Sequence, residues 1–551
     1  MDKKLEITIK KIALHNAIVH GGKANPKSIL GAILGSHPEL RSQVLKVRSE
    51  IERVCSLINE MTLAKQKKEL EKLGGFEEKK RKENKGLPEL PGAKVGKFVV
   101  RMAPNPDGAI HIGNARPAIL NYAYAKKYRG KFILRFDDTD PKVKTPEKKF
   151  YKWIEEDLKW LGIKWDEKYY SSKRLRIYKK YAEELIKMGK AYVCTCGEKW
   201  KEYRDKRQAC PCRDLPVKEQ LKRWKKMKEH KYKEGEAVLR IKTDLNATNP
   251  AVIDWPAFRI VDKPKHPFVK KEHLWPLYNF ASGIDDHLLG VTHILRGQEH
   301  STNEIKQRYM YQHFGWRYPV TMVVGRFSMS NMVMSKSKIR EGIKNHEFTG
   351  WDDIHLGTIR SLRRRGFLPE TITKLILEIG LRASDVSISL DNLAAYNRKI
   401  IDPITKRFFF VKDPVKITVD KLPFKKVEIP CHPKSNLGKR KFSLTKTFYI
   451  SRDDYEKYKG SKVRLKDLFN VKLGKKSKYA GKDLEPIPKI QWVPEKYVVV
   501  SVLTQDGYIK GFAERNVLKE KEGKIVQFER FGFVKLEKIK KSSVNVIFSH
   551  R

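Results

Sequence analysis

The apolar positions along the chain change period several times, and each change marks a new kind of element. Leu40, Val44, Val47, Ile51, Val54, Ile58 and Met61 recur at alternating spacings of four and three. That spacing predicts one apolar stripe on a long helix, within a helical stretch that spans residues 1–75. The segment "GGFEEKKRKENKGLPELPG", 74–92, has no period; its charge, glycines and prolines read as a linker. From Lys97 the texture is different. "KFVVRM" predicts a short buried strand, "HIGNARPAILNYAYAKKYRG" a helix capped at Gly130, and "KFILRFDDTD" a second buried strand. Strand, helix and strand in so short a space predict a βαβ unit, hence a parallel sheet with a right-handed crossover. Further helices are expected over 147–189, strands over 237–262, a helix then a strand over 275–300, and helices over 351–400. Beyond about residue 401, "KFSLTKTFYIS", "KYVVVSVLTQDGYIKGFAE" and "KIVQFERFGFVKLEK" alternate with period two, with Asp506-Gly507 as a hairpin turn. That part is expected to be all-β, as one or two barrels.

A chain of 551 residues is too long for one core. The pattern divides it into a helical N-terminal region and linker (1–92), the first half of a parallel-sheet domain (93–193), an inserted domain (194–270), the second half of the sheet domain (271–345), a helical subdomain (346–400) and the β region (401–551). The expected class is therefore multidomain α/β plus all-β. Charge sharpens this. Lys and Arg number 117 against 65 Asp and Glu, a formal net charge of +52. Such a surface favours a polyanion, nucleic acid first, with a proteome-wide lysine bias as the alternative. No apolar run is long enough to span a membrane and the N-terminus has no apolar signal core, so a cytoplasmic protein with no membrane partner is expected. Four of the six cysteines fall in 194–212 as Cys194-x-Cys196 and Cys210-x-Cys212. Two close pairs of thiols suit a tetrahedral structural zinc, with four free thiols as the alternative.

Two stretches carry chemistry. In "RMAPNPDGAIHIGNARPAILN", 101–121, a Pro/Gly-rich turn joins a strand to a helix whose start holds His111 and Gly113. Doubly wound sheets receive nucleotides at such a corner, at the carboxyl ends of the strands and against a helix N-terminus. Gly108 and Gly113 would let a base and ribose touch backbone, and His111 can hydrogen-bond phosphate. In "NMVMSKSK", 331–338, Lys336 and Lys338 with Ser335 and Ser337 suit a triphosphate whose charge grows during displacement.

Together "APNPDGAIHIGNARPA" and "MSKSK" resemble the HIGH and KMSKS signatures of class I aminoacyl-tRNA synthetases. "RFDDTDP", "DWPAFRI" and "WPLYNFASGIDDHLLGVTHILRGQEH" resemble the glutamyl/glutaminyl branch over residues 97–400, and the β-rich C-terminus resembles the archaeal glutamyl type. The resemblance implies a Rossmann-like catalytic domain, an acceptor-stem-binding insertion at 194–270 and an anticodon-binding β region. It implies ATP with Mg2+, L-glutamate and tRNA as substrates, glutamyl-adenylate as intermediate, tRNA(Glu) as acceptor with tRNA(Gln) left open, and a monomer. By position, His111 and Lys336 would act on the phosphates, and Pro104, Gly108, Gly113, Asn114, Ser335 and Ser337 would complete the ATP site. Arg101, Asp137, Tyr278, Ser282 and Arg296 would hold the amino acid: Asp137 its α-amino group, Arg296 its γ-carboxylate. Asn114 stands where the HIGH signature has its second histidine, and Val333 where KMSKS has its first lysine. Arg296 favours glutamate, because a guanidinium pairs bidentately with a carboxylate and gains little from an amide. A glutaminyl enzyme, a nucleotidyltransferase that uses the same signatures without tRNA, and a non-enzymatic RNA-binding protein are the alternatives. Basic runs at 222–233 and 360–365 are candidate phosphate contacts.

Overall fold

A computed structural model describes residues 3–19, 21–36, 40, 43–75 and 86–551; most of the 74–92 stretch read as a linker lies outside the described residues. The chain forms two compact units, Met1–Gly86 and Leu87–Arg551. The first contains helices α1 (Lys3–Val19), α2 (Pro26–Ser36), α3 (Val44–Asn59) and α4 (Leu63–Lys72). Helix α3 buries Val47, Ile51, Val54, Cys55 and Ile58, which is the predicted stripe. The stripe does not run on to Met61 as helix. Thr62 caps a new helix by accepting the Lys65 N–H on its hydroxyl, and the buried Gln66 amide donates to the Ile58 carbonyl at the end of α3, which also accepts the Met61 N–H. A capping threonine and a helix-end carbonyl thus break one apolar period into two elements.

In the second unit, β1 (Val99–Met102), α5 (Ile112–Lys127) and β2 (Lys131–Phe136) form the βαβ unit, with β1 and β2 parallel in the register Arg101↔Ile133. Helix α5 stops at Lys127 and is capped by Tyr128, not Gly130. Gly130 is needed for a different reason: a Cβ there would lie 2.1 Å from the Phe98 carbonyl oxygen. After α6 (Lys148–Trp160), β3 (Glu167–Tyr170) pairs parallel with β2. Helix α7 (Leu175–Lys187) leads into β4 (Ala191–Cys194), the short α8 (Trp200–Asp205), α9 (Val217–Lys228), β5 (Val238–Ile241), β6 (Pro256–Ile260) and β7 (Leu274–Pro276). Strands β4 to β7 form one antiparallel sheet in sequence order. That sheet starts before residue 194 and ends after 270, so it draws in the ends of both flanking segments.

The chain then returns through α10 (Tyr278–Leu288) to β8 (His293–Gly297), α11 (Ser301–Phe314) and β9 (Val320–Val324), with β8 and β9 parallel. Thr292 donates its N–H to the Val99 carbonyl and accepts the Val99 N–H on its hydroxyl, which ties β8 to the edge of β1. The first β strand therefore has β2 on one side and β8 on the other, and its carboxyl end is a switch point of the kind where such sheets bind ligands. Strand β10 (Phe327–Met329), α12 (Lys336–Lys344), α13 (Ile359–Arg365), α14 (Pro369–Ile379), β11 (Val386–Ile388) and α15 (Leu390–Ile401) complete this part. Its core joins Val100, Ile112, Ile119, Tyr124, Leu134, Phe136 and Leu158 to Leu362, Ile372 and Leu393.

Residues 405–551 form two curled seven-stranded sheets. In one, the edge strands are 407–408 and 410–412, two halves of a strand broken at Phe409. In the other, they are 489–490 and 493–494, broken at Gln491 and Trp492. Each sheet thus brings both edges to one split strand, which leaves no long open edge. Phe409 and Trp492 are fully buried in the adjoining core.

Candidate functional site: a cavity at the sheet switch point

A cavity of about 620 Å³ opens at the carboxyl ends of β1, β2 and β8. Of the residues singled out in the sequence, Arg101, Pro104, His111, Gly113, Asn114, Asp137, Tyr278, Arg296 and Lys336 line it. Gly108, Ser282, Ser335 and Ser337 do not. A Cβ on Gly108 would meet the Trp351 ring at 2.5 Å, so that glycine makes room for protein, not for a base. Ser282 is buried behind the wall and accepts a hydrogen bond from Arg135 Nη2 at 2.8 Å. Ser335 and Ser337 are exposed and hydrogen-bond each other at 2.9 Å.

The phosphate-side residues are fixed by backbone. His111 caps α5: its Nδ1 accepts the Asn114 N–H at 3.2 Å, and the Asn114 side chain accepts the His111 N–H at 3.4 Å. The departure at the fourth motif position is thus half of a reciprocal cap. With Nδ1 used as an acceptor, the neutral ring carries its proton on Nε2. Burial, and secondly the Lys336 ammonium, push His111 down to about 4, so the ring is neutral at pH 7. Lys336 is the first residue of α12, where a cation opposes the helix dipole. Asp107 compensates: its carboxylate accepts Lys336 Nζ at 2.7 Å, while the Asn105 carbonyl accepts it at 3.1 Å. Arg340 of the same helix donates to the Asp107 carbonyl. Burial still holds the Lys336 ammonium below the usual lysine range. The two motifs are joined through residues 355–358: Val333 N–H donates to the His355 carbonyl, Gly357 N–H to Val333, and Ile112 N–H to Gly357.

The other end of the cavity rests on a buried ionic network that motif reading missed. Arg101 donates from Nε and Nη2 to Asp286 at 3.1 and 3.0 Å, leaving Nη1 without a partner among the described residues. Arg135 donates to Asp286 at 2.7 Å and to Asp137 at 2.7 Å. Arg174 Nε and the Tyr178 hydroxyl donate to Asp285 at 2.7 and 2.6 Å. Asp286 is held below the usual carboxylate range by Arg101 and Arg135 against its burial. Arg296 is 5% exposed. It donates to Gln307 Oε1 at 3.3 Å and to the Tyr318 hydroxyl at 3.1 Å, both neutral, and its Nε is buried with no partner among the described residues.

The cysteines lie elsewhere, between β4 and α9. Cys194 and Cys210 Sγ are 3.9 Å apart, and Cys196 and Cys212 Sγ are 3.6 Å apart. The Sγ atoms of Cys194, Cys196 and Cys212 all lie within 4.8 Å of one another. Zinc–sulfur bonds of about 2.3 Å give a tetrahedron with S–S edges of about 3.8 Å, so these three thiols fit a zinc ion; Cys210, the fourth of the expected set, is near Cys194 but outside the mutually close group. Most of the basic run 360–365 is engaged within the protein: Arg360 pairs with Glu156 at 3.0 Å, Arg364 with Glu537 at 2.8 Å, and Arg365 is buried against the Ile354 and Ser549 carbonyls, while Arg363 is exposed.

Three family models match the chain: tRNA synthetases class I (E and Q), catalytic domain, over residues 97–403, and two for the anti-codon binding domain of the same class, over 405–487 and 489–537. The chain is 55% identical to a glutamate–tRNA ligase of Pyrococcus abyssi over 564 residues, covering 98% of this chain and 99% of that one. It is 54% identical to the Pyrococcus furiosus protein of the same name, with the same coverage, and 43% identical to that of Archaeoglobus fulgidus over 98% of this chain and 99% of that one. A crystal structure of a glutamate tRNA ligase from Elizabethkingia meningosepticum is 23% identical, with a TM-score of 0.42, over 55% of this chain and 70% of that one. With one catalytic and two anticodon-binding modules matched along its length, the chain belongs to the class I tRNA synthetases of the glutamate and glutamine branch.

Proposed function

We propose that the chain is a glutamate–tRNA ligase that uses ATP to activate L-glutamate and transfers it to the terminal adenosine of tRNA. The observation that carries this reading is the polarity of this cavity: His111 and Lys336 stand on one side, and Arg296, with only neutral groups within hydrogen-bond distance, on the other. A buried guanidinium that no carboxylate hydrogen-bonds, its Glu304 counter-ion standing off at 3.7 Å, favours an anionic ligand over an amide. The named activity of the archaeal relatives agrees with it.

In this reading the α-carboxylate of glutamate attacks the α-phosphorus of ATP, and pyrophosphate leaves. A hydroxyl of the terminal ribose then attacks the acyl carbon of the adenylate, and AMP leaves. The protein's share is position and charge, not proton transfer. His111 Nε2–H donates to a phosphate oxygen, and Lys336 exchanges Asp107 for the growing negative charge of the leaving pyrophosphate. Mg2+ enters with ATP. Arg101 Nη1 faces the substrate from the far wall, Tyr278 forms a side of the amino-acid pocket, and Asp137, steadied by Arg135, takes the α-ammonium group. Arg296 takes the γ-carboxylate. Zinc held by Cys194, Cys196, Cys210 and Cys212 would be structural, since four thiolates leave no open position.

The test is aminoacylation of total tRNA with labelled glutamate and, in parallel, labelled glutamine. The reading predicts acid-precipitable, alkali-labile charging with glutamate and none with glutamine. Charging with glutamine instead would reverse the role given to Arg296.

A further inference from the structure

Behind the amino-acid end of the cavity, α11 carries a second layer of charge. Arg296 Nη2 stands 3.7 Å from Glu304 Oε2, too far for a hydrogen bond. The other oxygen of the same carboxylate, Oε1, is occupied by Arg308 one turn on, with Nε at 2.9 Å and Nη2 at 2.7 Å. The Arg308 guanidinium also lies 4.7 Å from the centre of the Tyr318 ring. The Tyr318 hydroxyl accepts from Arg296 and donates to Gln307 Oε1 at 2.7 Å. One half-exposed arginine thus engages two of the groups that surround a buried one.

The arrangement poses a problem for anion selection. Glu304 is a carboxylate on a helix beside a guanidinium that, in the reading above, must stay open to a substrate carboxylate. At 3.7 Å the two already form an ion pair, but a loose one without a hydrogen bond. A closed Glu304–Arg296 pair would both occupy the guanidinium and repel an incoming γ-carboxylate. A neutral amide would meet no such repulsion.

We propose that Arg308 is a positioning residue for amino-acid selection: by engaging Glu304 Oε1 and the Tyr318 ring, it holds the Glu304–Arg296 ion pair open at 3.7 Å, short of a hydrogen bond, and so keeps Arg296 available to the carboxylate of the substrate. The proposal rests on the reading of Arg296 as the receiver of that carboxylate. It touches neither substrate nor the reacting atoms, so its effect belongs in KM for glutamate and in the preference for glutamate over glutamine.

The experiment is ATP–pyrophosphate exchange by the full chain in the presence of tRNA, with glutamate, glutamine and ATP each varied, for R308A, R308K, E304Q, the R308A/E304Q double variant and R296Q. R308A is expected to raise KM for glutamate about twofold to fivefold, the scale of a partly exposed charge pair, with kcat and KM for ATP unchanged. The glutamate-over-glutamine ratio of kcat/KM falls with it. R308K recovers part of the loss. Removing the competing charge in R308A/E304Q returns KM for glutamate to near the wild-type value, which a packing defect at position 308 would not do. An unchanged KM in R308A, or a raised KM that E304Q fails to restore, overturns the proposal. R296Q separates the two levels. If it raises KM for glutamate strongly while R308A does not, the role of Arg308 alone falls. If it leaves KM for glutamate unchanged, the reading of Arg296 falls and the proposal with it.

Discussion

Asp286 organises the amino-acid end of the cavity, because two buried guanidiniums depend on it. Its Oδ1 accepts from Arg101 Nε and Arg135 Nη1, and its Oδ2 accepts from Arg101 Nη2. Removing one partner of a buried ion pair leaves an uncompensated charge and costs about 3–5 kcal/mol. Asp286→Asn is therefore expected to lower stability by that order in denaturant unfolding of the second unit, as well as to impair glutamate binding; an unchanged midpoint would show that the network is not needed for the fold. The sequence named Asp137 in this network but not Arg135, Asp285 or Asp286. The signal was there. "RFDDTD" and "GIDDHL" each place charges directly against apolar positions of a buried strand or helix, where unpaired charge is not tolerated. Pattern alone does not say which arginine meets which carboxylate, since the partners lie as many as 185 residues apart in the chain. Ser282 was assigned to the substrate by position, and its hydroxyl is instead taken by Arg135. Gly108 shows the same limit: a glycine in a nucleotide-type turn makes room for something, and here the neighbour is Trp351.

At the scale of elements, the βαβ corner was legible because both of its strands are continuous apolar runs and its helix opens on a capping residue. The all-β character of the C-terminal part was legible from period two and a hairpin turn near Asp506; the loop is Gln505-Asp506, one residue earlier than expected, and Gly507 opens the second strand at φ 112°. The way each sheet curls was not. It depends on splitting one strand at Phe409 and another at Gln491–Trp492, and a break of one or two residues leaves the period intact. The run "RSLRRR" illustrates the reverse error: a stretch that reads as a candidate phosphate contact is a short helix three of whose four arginines are spent on Glu156, Glu537 and backbone carbonyls. The junction of the two curled sheets carries a titrating element. Glu514 is fully buried, accepts Arg440 Nη1 at 2.6 Å and the Phe409 N–H at 2.8 Å, and is pushed up to about 7 by burial in spite of Arg440. A carboxyl raised in the folded state binds its proton more tightly there than in the unfolded chain. Its contribution to stability is full below the unfolded value near 4.5 and is lost as pH rises to about 7. The melting temperature of the wild type should accordingly fall relative to Glu514→Gln between pH 4.5 and 7, and run parallel to it above that. A difference that stays constant across the window would contradict this.

At the scale of the whole molecule, a net charge of +52 on a chain with two anticodon-binding modules fits a large polyanionic partner, and among the described residues no helix is long and apolar enough to cross a membrane. The inserted sheet is held at one end by the cysteine cluster, where Cys194 and Cys210 pack with Tyr192 and Trp200. Elemental analysis is expected to find about one zinc per chain, and stripping it with a strong chelator at raised temperature should lower the melting temperature, with metal add-back restoring it. Protein that carries no zinc and melts identically with chelator would return the four cysteines to plain core thiols. The central claim is that one cavity joins ATP to an amino acid with a carboxylate side chain. ATP–pyrophosphate exchange measured with glutamate and with glutamine, each with and without total tRNA, tests it most directly. The account predicts exchange with glutamate that depends on tRNA, and little with glutamine. Exchange driven by glutamine, or none under any condition, would contradict it.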